Sequence, residues 1–150
     1  MHDQMHINEQ ITSGRQPTAE EFTQLAREGF RSVVNLRTWP EEDQPLSPEA
    51  EGAQVRDLGL EYLHLPVSTT DLTPEQVDQF RQALLQLPKP VYVHCHTGKR
   101  AGAFVMMHLA AEQGWSGQEA LQKAEEMGFA CDVPRLQEFF LQYIDQPRRP

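Results

Sequence analysis

With 150 residues, 39% of them hydrophobic, the chain is long enough to bury an ordinary core without staples, and residues 1–150 are expected to form one domain. A formal charge of −9 and an isoelectric point near 5.1 set its long-range field against phosphate backbones and anionic surfaces, so neither nucleic acid nor membrane is an expected partner. No apolar run approaches the ~18 residues of a membrane span and no cationic, then apolar leader opens the sequence, which implies a soluble cytoplasmic protein.

In chain order, residues 6–14 read as a first strand ending at Ser13-Gly14. Thr18 is placed to cap a helix with acids in its first turn and Phe22, Leu25 and Ala26 on its inner face, and Gly29 stops it. Residues 31–37 form a second strand, apolar enough to be covered on both faces. Residues 38–47 hold too many prolines and acids for regular structure and read as a surface loop that can act as a lid. Ser47-Pro48 opens a helix running to about Gly59, residues 61–65 are a third strand ended by Pro66, and Thr73 caps a helix from Pro74 to Leu87. A strand over residues 90–95, a helix after it, and helices at 116–127 and 133–144 complete the pattern. Such alternation predicts an α/β fold: a small, mainly parallel central sheet of about four strands with helices on both faces. Ligands of such sheets bind at the carboxyl ends of the strands.

The stretch from Pro90 to Leu109 carries the chemistry. It encodes a short apolar strand, a polar loop from Cys95 to Arg100 and an apolar helix, which places a thiol at the end of a strand and beneath a helix amino terminus. Loop amides and the helix dipole together make an anion site, in which His96, Thr97, Gly98, Lys99 and Ala101 would contribute backbone or side-chain contacts. A thiol there, with Lys99 and Arg100 nearby, is expected to ionise readily and act as a nucleophile toward an oxyanion centre. Arg100 beside a helix amino terminus is electrostatically misplaced unless an anion arrives, so it reads as the clamp. Gly98 reads as a residue with positive φ or one lying against the anion, and Lys99 as a steering charge. His94 and His96 flank the thiol at alternate positions, facing away from Cys95, and no second cysteine or carboxylate stands at ligand spacing. His94 therefore reads as a loop support, and neither metal nor cofactor is expected.

His94-Cys95-His96-Thr97-Gly98-Lys99-Arg100 resembles the signature loop of cysteine-dependent protein tyrosine and dual-specificity phosphatases, shortened by one residue. Four residues separate Cys95 from Arg100 where those enzymes have five, and Ala101 stands where they usually carry Ser or Thr. The same gap is similar to the loop of many rhodaneses, whose cysteine carries a persulfide. From Ile11-Thr-Ser-Gly-Arg-Gln-Pro-Thr through Leu65-Pro-Val and Leu72-Thr-Pro-Glu to the cysteine loop, about residues 5–115, the chain resembles the phosphatase-like domain called beta-lactamase hydrolase-like, some of whose members are labelled sulfur transferases.

The resemblance implies a protein tyrosine phosphatase-like fold and a phosphate monoester hydrolase, with Cys95 as nucleophile forming a cysteinyl-phosphate, Arg100 as clamp and Asp71 as general acid. The alternative is a rhodanese-like sulfurtransferase with a Cys95 persulfide, so the substrate is either a phosphorylated molecule or a sulfur donor. A third class, an anion-binding module without catalysis, would not need the thiol. Asp71 also fits a turn or a helix cap, and Glu41, Glu42 and Asp43 on the Trp39-Pro40 loop are the fallback acids. Arg37, just after the second strand, joins the expected anion-binding set, and Arg15 after the first is a weaker candidate. Cys131 reads as a small buried residue or, alternatively, a resolving thiol. His64 and His108 read as core-edge residues, and Phe104 to Met107 as packing beneath the site.

Overall fold

The structure, a computed structural model, describes residues 4–146. Five strands, β1 (Gln4–His6), β2 (Ile11–Gly14), β3 (Ser32–Asn35), β4 (Glu61–His64) and β5 (Val91–His94), form one sheet in the order β1-β2-β5-β3-β4. The β2, β5, β3 and β4 pairings are parallel and β1 runs antiparallel to β2. The expected single first strand is thus a hairpin, and the sheet has five strands rather than about four. Asn8 makes the break: its Oδ1 accepts the Gln10 and Ile11 amides at 2.8 and 3.0 Å, folding the chain back between β1 and β2.

The helices follow the expected caps. In α1 (Ala19–Arg27) Thr18 accepts the Glu21 amide while Glu21 reaches back to the Thr18 amide, and Thr73 with Gln76 does the same for α3 (Pro74–Gln86). Ser47 caps α2 (Pro48–Asp57), with proline in the first position. The remaining helices are α4 (Lys99–Gln113), α5 (Gly117–Glu126), capped by Ser116, and α6 (Pro134–Asp145).

Two apolar clusters lie on opposite faces of the sheet. The larger joins Val34, Val91 and Val93 to α3, α4, α5 and α6 through Phe80, Phe104, Met107, Ala120, Leu136 and Phe140. The smaller joins Val33 and Tyr92 to Phe22 and Leu25 of α1 and Val55 of α2. Strand alternation therefore sends Val91, Val93 and Cys95 to one side and Tyr92 and His94 to the other. In register, His94 stands beside Gly14 and Asn35, and Asn35 beside His64, so four strands end on one line and the residues after them share one rim. No helix among the described residues is long and apolar enough to cross a membrane.

Candidate active site

Cys95 follows the last residue of the central strand and is buried. Its Sγ accepts the Gly98 amide at 3.2 Å and the Ala101 amide at 3.4 Å, so two donors of the loop and first helical turn converge on the sulfur. Gly98 makes the turn possible. It begins α4 with φ of +103°, a conformation that a side chain would strain. His96 holds the loop from outside through its carbonyl, which accepts the Gln16 amide at 3.0 Å.

Arg100 lies in the first turn of α4, where its guanidinium is oriented from two sides. Nη1 and Nη2 donate to the two carboxylate oxygens of Glu41 at 2.7 and 2.9 Å, and Nη1 also donates to the Val67 carbonyl at 2.8 Å. The carboxylate fork accounts for two donors of the planar group and fixes its plane. Burial disfavours the Arg100 charge, but Glu41 and the neighbouring Cys95 sulfur outweigh it and raise its pKa further. Val67 opens the segment carrying Asp71, so the Arg100 bond ties that segment to the rim. Asp71 itself is exposed, in a turn closed by its amide on the Ser68 carbonyl at 3.1 Å.

Glu41 behaves unlike a fallback acid. Burial works against its charge, but hydrogen bonds from Arg100, Thr38 and Arg37 win and hold the carboxyl far below the usual range. A carboxylate bound this way keeps no proton to give, and its part here is to orient arginine.

Arg37 also departs from expectation. Its side chain is fully buried, and its donors reach Glu41 Oε1 (2.9 Å), Gln16 Oε1 (3.0 Å) and the Asp43 and Glu42 carbonyls. The guanidinium is committed to pinning the 38–45 loop rather than to an anion on the cysteine loop. Lys99 likewise turns outward, to Asp132 at 3.0 Å and the Ala130 carbonyl at 3.2 Å. Arg15 is held by both oxygens of Glu21 at 2.9 and 2.8 Å.

His94 is fully buried. Its Nε2 lies 2.8 Å from Glu51 Oε2 and its Nδ1 3.1 Å from the Cys95 carbonyl. Glu51 was not singled out from sequence; it sits inside α2, 1% exposed, and also accepts Gln16 Nε2 (2.7 Å) and the Tyr62 hydroxyl (2.9 Å). The available signal is position: Glu51 falls four residues before the buried Val55, on the inward stripe of the helix. The links His94–Glu51–Gln16–Arg37–Glu41–Arg100 thus run unbroken from the residue before the thiol to the arginine after it.

Thr97 is exposed at the tip of the loop and, with His96, Pro17, Thr18, Asp43 and Pro45, borders an open cavity of about 680 Å³. His96 faces Asp43 across it at 3.8 Å. Cys131 is buried under Lys99 and Phe129, and burial pushes its thiol up to about 11, as for an unreactive packing residue. His64 donates to the Arg37 carbonyl at 2.6 Å, and His108 stands between Arg81 and Glu112, its pKa lowered by burial. Phe104 to Met107 pack beneath the loop.

Comparison with known proteins agrees with this architecture. Residues 2–138 match the family model described as a DSP-PTPase phosphatase fused to NAD+ kinase, and the chain belongs to that family. A beta-lactamase hydrolase-like protein of Xylella fastidiosa (strain Temecula1) is 35% identical over 126 residues, 83% of this chain and 28% of its own length. The chain therefore spans less than a third of that relative. A protein of Shewanella putrefaciens CN-32 named a candidate phosphatase is 28% identical, with a TM-score of 0.73 over 91% of this chain and 87% of its own. The fold is also that of Tk-PTP in its active form, with a TM-score of 0.78 and 24% identity over 96% of this chain and 97% of that one. The fold is that of the protein tyrosine phosphatase-like phosphatases, consistent with a cysteine-dependent hydrolase acting on phosphate.

Proposed function

We propose that the chain hydrolyses phosphate monoesters through a cysteinyl-phosphate on Cys95. The observation that carries the reading is the sulfur at the end of β5, facing two backbone donors at a helix amino terminus with an oriented guanidinium beside it. In this mechanism the phosphoryl group enters with its oxygens on the loop amides and Arg100. Cys95 attacks phosphorus in line with the ester oxygen, the P–O bond breaks as the S–P bond forms, and water then releases phosphate. The donors are fixed before the reaction, so the charge developing on the transferring group is met without rearrangement. The alcohol part of the substrate extends into the cavity between Pro17, Pro45 and the loop.

The departing oxygen needs a proton. Glu41 is unsuited, being held ionised, and the proposal assigns the role to Asp71 on the segment that Arg100 anchors through Val67. No metal or other cofactor enters this mechanism. A cytoplasmic setting and one self-contained domain accompany it as parts of the same proposal.

The short loop and the alanine at 101 favour the second reading, transfer of sulfur through a Cys95 persulfide. One experiment separates them. Purified protein is given phenyl phosphate, an activated aryl phosphate, and thiosulfate with cyanide. Wild type is expected to release phosphate from both esters, and Cys95→Ser from neither. Asp71→Asn should lose ~10²-fold on phenyl phosphate and much less on the activated ester, which leaves unaided. Turnover of thiosulfate with no ester cleaved, and a persulfide on Cys95, would establish the sulfurtransferase instead.

A further inference from the structure

The open cavity of about 680 Å³ beside the cysteine loop leaves few polar groups for a ligand, because most of those on its wall are committed elsewhere. Arg15 gives its guanidinium to both oxygens of Glu21, and the Thr18 hydroxyl accepts the Glu21 amide. Gln16 turns inward, its Nε2 to Glu51 and its Oε1 to Arg37. Gln44 is used within its own loop, accepting the Glu41 amide at 2.8 Å and donating to the Thr38 carbonyl at 3.1 Å. Along this wall, among the described residues, the Asp43 carboxylate, the His96 ring and the Thr97 hydroxyl remain, set beside Pro17, Ala19 and Pro45. Asp43 is held there by unusual means. Its φ is +52°, the one positive value at a non-glycine position among the described residues. Its carbonyl and that of Glu42 accept Nη1 and Nη2 of Arg37, whose side chain is wholly buried. A buried cation therefore fixes the backbone of an aspartate whose side chain is 84% exposed. Such a conformation persists where its surroundings impose it, and here they aim the carboxylate across the cavity, Oδ2 lying 3.8 Å from His96 Nε2. At that separation the two groups are neighbours without a hydrogen bond, and the carboxylate keeps room for another partner.

We infer that Asp43 is a specificity-determining residue, selecting phosphate esters whose alcohol part carries a positively charged nitrogen and turning away those that carry a second anion. The inference rests on the hydrolase reading and names the class of substrate within it. His96 adjoins Cys95 in the chain, so the carboxylate stands one side chain beyond the anion site. The two ends of the pocket then differ in sign: the loop amides and Arg100 meet the phosphoryl group, and Asp43 meets what projects from the alcohol. Between them the proline and alanine surfaces accept carbon. The charge of Arg15 on the same wall is balanced by Glu21, which leaves His96 as the other titratable group facing this spot. A cation beside Asp43 gains attraction and a carboxylate meets repulsion, both reduced because the cavity is open to water.

The test compares two esters at low ionic strength, para-(aminomethyl)phenyl phosphate and para-carboxyphenyl phosphate, in wild type and Asp43→Asn. Asparagine tolerates positive φ as aspartate does, so the loop keeps its backbone and loses only the charge. The cation-to-anion ratio of kcat/KM should be ~10-fold higher in wild type than in the variant, a comparison in which the esters' own reactivities cancel. Salt at about 1 M should shrink that difference. Equal ratios in the two proteins overturn the inference and leave the hydrolase reading intact. If neither protein cleaves any ester, the hydrolase reading fails, and the pocket is judged by how well the corresponding phenylphosphonates protect Cys95 from iodoacetamide. Better protection by the aminomethyl compound in wild type, lost in Asp43→Asn, upholds the selection by Asp43. Equal protection by the two compounds, or none by either, overturns it.

Discussion

The two faces of the sheet contribute to the same seven-residue loop in different ways. Toward α3, α4, α5 and α6 the sheet is covered by a continuous apolar cluster that includes Cys95 itself and the Phe104–Met107 stripe. Toward α1 and α2 the apolar cluster is small, and beside it lie His94, Glu51, Asn35 and Arg37, all buried and all hydrogen-bonded. One face therefore places the sulfur by packing, and the other sets the charges around it. The apolar face tolerates neighbours of similar shape, whereas each polar partner is specified by the group it must satisfy.

Three changes would break or sharpen this division, from the largest expected effect to the smallest. On the apolar face, Phe104→Ala removes a fully buried ring packed edge-on against Phe80 at 5.6 Å and should cost about 3–5 kcal/mol in urea or thermal unfolding. The surviving folded protein should keep kcat within a few-fold of wild type. A large loss of kcat in the folded fraction would mean that packing also tunes the chemistry.

On the polar face, Glu41→Gln leaves atoms of the same size beside Arg37 and Arg100 but ends the charged fork. Arg100 then loses its fixed plane, and kcat/KM on an aryl phosphate should fall about 10²-fold with a smaller change in melting temperature. A variant with full activity would detach Arg100's orientation from Glu41.

The smallest effect is acid sensitivity. Arg15 holds Glu21 at about 2 instead of 4.5. As pH falls from above 4.5, the unfolded chain takes up this proton first, so the pair's contribution is present above 4.5 and lost as pH falls toward 2. The pair is partly solvated, and the loss should stay under about 1 kcal/mol. Denaturation midpoints at pH 5 and pH 3 for wild type and Arg15→Met check it, the variant showing the shallower decline. Glu41 and Glu51, lowered in the same direction, add to the slope that remains.

Much of the fold is legible in the residues because its signals are local. Thr18, Ser47, Thr73 and Ser116 each stand where a helix begins and each accepts the expected amide, and the Val-Tyr-Val run before Cys95 is the central strand. The hairpin at β1 was not legible, because residues 6–13 contain no glycine or proline and the turn is made by one Asn8 side chain. At the site, the thiol, its loop and Gly98 could be read from type and spacing. The roles of Glu41, Glu51 and Arg37 could not, since each depends on what lies across a gap of dozens of residues, or on whether a charge is buried. An acidic residue in a polar helix, such as Glu51, reads as solvated until the fold presses it against His94.

The cap at one helix has a further consequence. While α1, α2, α3 and α5 each begin on a hydroxyl at their own cap position, α4 begins on Gly98, which has no side chain, and the acceptor at its first turn is the Cys95 sulfur, on the Ala101 amide. An anion seated on that turn would therefore add oxygen acceptors to the sulfur at the start of the helix that runs through the middle of the larger core. Occupancy and melting temperature are then linked: a tetrahedral oxyanion at a hundred times its dissociation constant would add about 2.7 kcal/mol to the global stability. A thermal-shift screen of small anions would rank inhibitors by the same interaction that begins the helix.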